Sequence, residues 1–160
     1  MYKRQGDVSI AEEVVRRGAV FGGEPVGAWI HPEVHLCPDG VLSALRLMEA
    51  LEEEERTLAE FVAEVPEYPL LRAKVDCPNA RKAEAMDAVS ARCGGAFSGV
   101  RSVSTVDGVR LDLGDGWALI RPSGTEPVIR ITVEAREGRR AEEIMDRSRR
   151  FVMEILEGAA

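Results

Sequence analysis

SVSTVDGVRLDLGDGWALIRPSGTEPVIRITVEA, residues 102–135, reads as four β segments in a row. Apolar and polar residues alternate through VRLDL and VIRITVEA, the period of a half-buried strand. Turn residues fall between the segments. Asp107-Gly108 is the dipeptide of a two-residue hairpin, Gly114-Asp115-Gly116 turns the chain again, and PSGTEP separates the last two segments. Upstream, Leu71, Ala73 and Val75 alternate with Arg72, Lys74 and Asp76, predicting another strand. Pro78 stands near the start of a helix that reaches about Arg92 and ends at Gly94-Gly95. Downstream, Ile144, Met145, Phe151, Val152, Ile155 and Leu156 give AEEIMDRSRRFVMEIL an apolar stripe. From residue 70 the order is β-α-β-β-β-β-α. This predicts an α+β domain over 66–160, an antiparallel sheet with two helices able to cover one face.

Residues 6–65 are of another kind. VSIAEEVVRR predicts a short helix closed by Gly18, followed by one short strand around Ala19 to Phe21 in a Gly- and Pro-rich stretch. Asp39 is placed as the N-cap of a long helix whose stripe is Val41, Leu42, Leu45, Leu47, Met48 and Leu51. The EEEER run is its solvated end, and Thr57 with Glu60 has capping-box spacing for a further short helix. So few strands cannot close a sheet, and the segment is expected to be the C-terminal portion of an incomplete α/β domain. Pro66 to Pro69 reads as the linker.

The formal charge of −7 argues against a nucleic-acid partner held through its phosphates, yet leaves room for a local cationic pocket. No apolar run approaches the ~20 residues of a membrane span. The first residues do not read as a signal peptide, and Cys37, Cys77 and Cys93 are odd in number and far apart. Reduced thiols and a cytoplasmic location are expected.

The chemistry concentrates in IRPSGTEPVIRI, residues 120–131. Gly124 would let consecutive N–H groups turn inward as an anion nest. Ser123 and Thr125 add hydroxyl donors, Arg121 offers a planar fork that fits phosphate oxygens, and Pro122 and Pro127 restrict the loop. A surface turn built from ordinary turn residues remains an equal alternative at this level. Glu24, in FGGEPVGAW, is either an acceptor for vicinal sugar hydroxyls or a plain loop glutamate. His31, His35, Cys37 and Asp39 lie close in sequence, but Pro32 and Pro38 interrupt them and no second ligand cluster exists, so no metal site is assigned. Neither histidine sits with a nucleophile and an orienting group, so no catalytic residue is assigned. Trp29 and Trp117 are expected in the core.

Two of these stretches together resemble one family, the α-D-phosphohexomutases. RPSGTEPVIR resembles the phosphate-binding loop of that family's fourth domain, and GGEPVG resembles the sugar-recognition loop of its third. GDVSIAEEV and CPDGVLSALRLMEALEEE resemble the segments flanking the sugar loop, so the likeness runs over residues 6–157. The loops are most similar to those of the phosphoglucosamine mutase and phosphomannomutase/phosphoglucomutase branch.

The resemblance implies a fourth domain of TATA-binding-protein-like α+β fold over 66–160 and the end of a third domain over 6–65. It implies an isomerase that interconverts hexose 6-phosphates and 1-phosphates through a bisphosphate. In such enzymes a phosphoserine of the first domain and a Mg²⁺ held in the second serve the transfer. Neither a Ser-His-Asn pattern nor a D-x-D-x-D-R loop occurs here, so the chain alone is expected to be inactive and to depend on the N-terminal domains of a longer parent. By the same resemblance Glu24 would hold sugar hydroxyls, and Arg121, Ser123, Gly124, Thr125 and Arg130 the phosphate. Val26 replaces a common Ser, and Ala28 an occasional His, which leaves the hexose open. A stand-alone phosphosugar-binding module is the alternative.

Overall fold

The computed structural model describes residues 6–24 and 27–158 of the chain, which divides into two compact units, Met1–Pro66 and Glu67–Ala160.

In the first unit, α1 (Asp7–Arg17) carries Asp7 in its first turn and Arg16 and Arg17 in its last, charges that complement the helix dipole. Gly18 ends it in the left-handed conformation. The short strand expected around Ala19 to Phe21 lies further on. Gly22–Glu24 (β1) pairs antiparallel with Ala28–Ile30 (β2). Packing sets that position: Ile10 and Val14 of α1 close with Ile30 into a small core, and Gly22 is pressed against it. A Cβ on Gly22 would stand 2.5 Å from Val14 Cγ2.

Asp39 caps α2 (Gly40–Glu53), its carboxylate accepting from Leu42 N–H at 2.8 Å. Bonds to Leu42 N–H and then to His35 hold that carboxyl below its usual range. The apolar stripe of α2 is not buried as expected: Val41, Leu45 and Met48 are exposed, and Ser43 is the helix's buried residue. The EEEER run is also more than a solvated end. Glu55 takes φ +52°, and the Arg56 N–H returns to the Leu51 carbonyl, 2.9 Å, closing the helix without glycine. Thr57 and Glu60 form the capping box of α3 (Leu58–Ala63).

The second unit holds most of the buried apolar residues. Its elements are β3 (Leu70–Asp76), a 3-10 turn (Asn79–Arg81), α4 (Lys82–Ala96), β4 (Ser102–Ser104), β5 (Val109–Asp112), β6 (Gly116–Pro122), β7 (Val128–Ala135) and α5 (Gly138–Gly158). All neighbours in the sheet order β3-β7-β6-β5-β4 are antiparallel. Ile129, Ile131 and Val133 of β7 point to the core with Val109 and Leu111 of β5 and Ala118 and Ile120 of β6. Val89 and Cys93 of α4 and Ile144, Phe151, Val152 and Ile155 of α5 close that face.

Two local expectations fail here. Gly94-Gly95 does not end α4, which runs on to Ala96. Phe97 packs edge-on against Phe151 at 5.6 Å and the Arg147 Nε–H donates to the Ala96 carbonyl, so tertiary contacts outweigh the weak helix propensity of two glycines. At the first hairpin Ser104 faces Arg110, a register that belongs to a three-residue loop rather than to a two-residue Asp-Gly turn. Gly108 supplies its left-handed residue at φ +76°. Among the described residues no helix is long and apolar enough to cross a membrane.

Packing this uneven predicts uneven protection. In hydrogen exchange, the amides of Ile129, Ile131 and Val133 are expected to stay protected long after those of α2 and α3 have exchanged. Equally slow exchange in both units would contradict this reading of the core.

Candidate functional site

On the sheet face away from the helices, antiparallel pairing sets side chains in rows. Lys74 of β3 faces Arg130 of β7, and Arg130 faces Arg121 of β6. Three cations thus stand in line across three strands, beside the loop that joins β6 to β7. Like charges directly opposite one another repel, so this row needs counter-charge.

Two carboxylates provide it, each from a loop. Glu126 accepts from Lys74 Nζ at 2.7 Å and from Arg130 NH2 at 2.6 Å. The Lys74 bond first, and then the Arg130 bond, hold the Glu126 carboxyl below its ordinary range. Asp107 pairs with Arg121 at 3.3 Å. Its neighbour Gly108 lies so close under β6 that a Cβ there would stand 2.6 Å from Arg121 Cβ. The hairpin loop between β4 and β5 is therefore seated on the backbone of Arg121. Arg130 Nε is buried with no hydrogen-bond partner among the described residues, one polar hydrogen left over in the row.

Within the loop, the Ser123 N–H donates to the Val128 carbonyl at 3.0 Å and the Val128 N–H to the Glu126 carbonyl at 2.8 Å. The Glu126 N–H (3.1 Å) and, more weakly, the Thr125 N–H (3.4 Å) converge on Ser123 Oγ. Consecutive amides do turn inward, as a nest requires, but onto the Ser123 hydroxyl, which is buried. That oxygen accepts here and keeps one proton to give. Gly124 differs from expectation: its φ is not positive and a Cβ there would meet nothing, so no backbone strain demands glycine. Its N–H is the loop amide with no partner among the described residues. Pro122 and Pro127 have no N–H to satisfy.

Sequence reasoning missed the cations behind this loop. Lys74 was within reach of it, because the alternation of β3 sends Arg72 and Lys74 to the same face as Arg130. Lys82 was not. It lies at the start of α4, and its ammonium donates to the Ser123 carbonyl at 2.6 Å and to the Glu126 carbonyl. The Cys77 N–H adds a bond to the Pro127 carbonyl, 2.8 Å. Burial pushes the Cys77 thiol up, which keeps it protonated.

Arg121, Ser123, Gly124, Thr125 and Arg130 are thus brought together at one end of the sheet, while Glu24 belongs to the other unit. Glu24 ends β1; its Oε1 accepts from Gly6 N–H at 2.8 Å and its carbonyl from Gly27 N–H at 3.0 Å. Val26 lies outside the described residues, and Ala28 pairs with Glu24 across the hairpin. His31 bonds Ser43, and His35 bonds Asp39, so both rings brace the start of α2. Among the described residues no group of three or more His, Cys, Asp or Glu converges to hold a metal, and this set does not fit Mg²⁺. The tryptophans are not core residues. Trp29 is exposed, and Trp117 lies on the open sheet face under the Arg110 guanidinium, 4.9 Å away, donating to Glu134.

The model of the phosphoglucomutase/phosphomannomutase C-terminal domain matches residues 73–150, and that of the family's alpha/beta/alpha domain III matches residues 2–68. The chain belongs to the phosphoglucomutase/phosphomannomutase family. It is 51% identical over 156 residues to a probable phosphoglucosamine mutase of Methanopyrus kandleri, covering 95% of this chain and 34% of that protein. With the phosphoglucosamine mutase of Methanocaldococcus jannaschii identity is 46% over 151 residues, 94% of this chain and 33% of the relative. The chain thus spans about a third of the length of these relatives. Its fold is similar to a phosphoglucomutase/phosphomannomutase family protein of Burkholderia thailandensis, TM-score 0.81 at 24% identity, covering 98% of this chain and 32% of that structure.

The ion pairs of this family member's loop carry a pH signature. Glu126 titrates lower in the folded chain than in the unfolded one. The stability it contributes is therefore complete above its ordinary value of 4.5 and is lost as pH falls through the lowered folded value. A carbon-detected NMR titration is expected to place its midpoint below 4.5, and Lys74→Met is expected to raise that midpoint. A wild-type midpoint at or above 4.5 would contradict the pairing.

Proposed function

We propose that this chain is the sugar- and phosphate-binding C-terminal portion of a phosphohexomutase that moves a phosphoryl group between the 6- and 1-positions of a hexose or hexosamine. The names of its relatives favour a hexosamine phosphate as substrate. The observation that carries the reading is the cation row Lys74–Arg130–Arg121 beside a loop whose Gly124 N–H has no partner among the described residues.

A phosphate monoester dianion suits that set. Arg121 and Arg130 offer forked donors to its oxygens, Gly124 N–H and the Ser123 and Thr125 hydroxyls add single ones, and Lys74 adds charge. Glu126 and Asp107 hold the arginines ready, so little side-chain entropy remains to be lost on binding. The role of such a clamp is to hold the phosphate that is not being transferred. In this reading Glu24 accepts from ring hydroxyls. The donor phosphoserine and the Mg²⁺ that neutralises the transferring group reside in other domains of the parent, and this chain alone catalyses nothing. The large closed core of the second unit supports a second reading, a phosphosugar-binding module that works without catalysis.

Calorimetry with glucosamine 6-phosphate tests both. Binding is expected to weaken about tenfold or more in Arg121→Ala, the loss of one charge-assisted fork. Micromolar affinity in the chain by itself favours the module, and millimolar affinity the mutase portion. Identical affinity in wild type and Arg121→Ala would overturn the assignment of the loop.

A further inference from the structure

Around the loop, Lys74, Arg121 and Arg130 each face a carboxylate, whereas Lys82 contacts only carbonyls among the described residues. We propose that Lys82 is a positioning residue for the anion loop, drawing the Ser123 and Glu126 carbonyls inward and thereby turning the Gly124 N–H out toward the ligand. The proposal rests on the phosphate-binding reading above and deepens it.

The geometry follows from the planar trans peptide, in which the C=O of one residue and the N–H of the next point in opposite directions. The Ser123 carbonyl accepts from Lys82 Nζ at 2.6 Å. The N–H across the same peptide is that of Gly124, so it points away from the ammonium. This accounts for the absence of any partner for it among the described residues. The Glu126 carbonyl accepts from Lys82 and from Val128 N–H, which fixes the other end of the loop.

Lysine suits the task. Its compact head carries three donors and can bridge two carbonyls from one point, where the flat guanidinium of arginine spreads its donors in a plane. The base of Lys82 is itself anchored. The Arg81 guanidinium donates to the Leu156 carbonyl at 2.7 Å, and the Cys77 N–H to the Pro127 carbonyl, so the whole segment 77–82 is laced between α5 and the loop. Because no carboxylate among the described residues pairs with it, the Lys82 charge also adds to the positive field felt by an incoming anion.

The test is a titration of the full 160-residue chain with inorganic phosphate, followed in ¹H–¹⁵N spectra, for wild type, Arg121→Ala, Lys82→Met and Lys82→Arg. Wild type is expected to show a saturating shift of the Gly124 amide. Lys82→Met is expected to keep the Ile131 and Val133 signals, lose the Gly124 response and bind phosphate about tenfold more weakly. Lys82→Arg, which keeps charge and donors, recovers the response in part; Lys82→Gln, which keeps a single reach, serves if the Met variant fails to fold and is expected to fall between. Wild-type affinity and a wild-type Gly124 shift in the Met or Gln variant would overturn the proposal while leaving the phosphate site standing. A wild-type chain that ignores phosphate would remove the site, and the proposal with it.

Discussion

The register between β3, β7 and β6 is the constraint on which the second unit depends. The same pairing that sends Val75, Ile129 and Ile120 into the core sets Lys74, Arg130 and Arg121 side by side on the opposite face. A slip of one residue would exchange the faces, burying the cations and exposing the isoleucines. Core and site are therefore one arrangement seen from two sides. The electrostatic cost of aligned cations is offset by Glu126 and Asp107, which come from loops, where they can be placed without disturbing the strand alternation.

This arrangement gives the loop an inner and an outer side. Inside, Lys82 and the Cys77 N–H take carbonyls, and Ser123 Oγ takes amides. Outside remain the Gly124 N–H and the two arginine forks. The Ser123, Thr125 and Glu126 amides are spent within the hairpin, and the rest of the unit grips the loop by its carbonyls, so among the described residues the Gly124 N–H is the loop amide left for an anion. The first unit is organised on a smaller scale: three buried apolar residues, Ile10, Val14 and Ile30, close beside the two-stranded hairpin that ends at Glu24, and Val41, Leu45 and Met48 of α2 stay exposed.

Regular elements were legible wherever a single local rule governed them. The period of VIRITVEA marks β7 residue for residue, Asp39 caps α2, and Thr57 with Glu60 forms the capping box of α3. The cluster of Arg121, Ser123, Gly124, Thr125 and Arg130 could be anticipated because the residues lie along one hairpin. Where two rules competed, sequence reading failed. The Gly94-Gly95 pair yields to the Phe97–Phe151 contact, and the Asp107-Gly108 turn gains a residue to suit the strand register. Gly124 is not a conformational requirement, because the loop tip there is open and its φ is not positive. Lys82 left no trace, since its partners lie across a helix start and a strand, at separations no local pattern encodes.

In the proposed function the cation row receives a sugar phosphate. The Arg130 Nε–H senses its guanidinium's surroundings most directly, being buried and, among the described residues, unpartnered. Its ¹⁵N resonance should be followed as glucosamine 6-phosphate is added, with Arg149 of α5 as an internal reference. A saturating shift at Arg130, together with Arg121 and without change at Arg149, is the predicted result. Movement of all three in proportion to ionic strength alone, or none at Arg130, would contradict it.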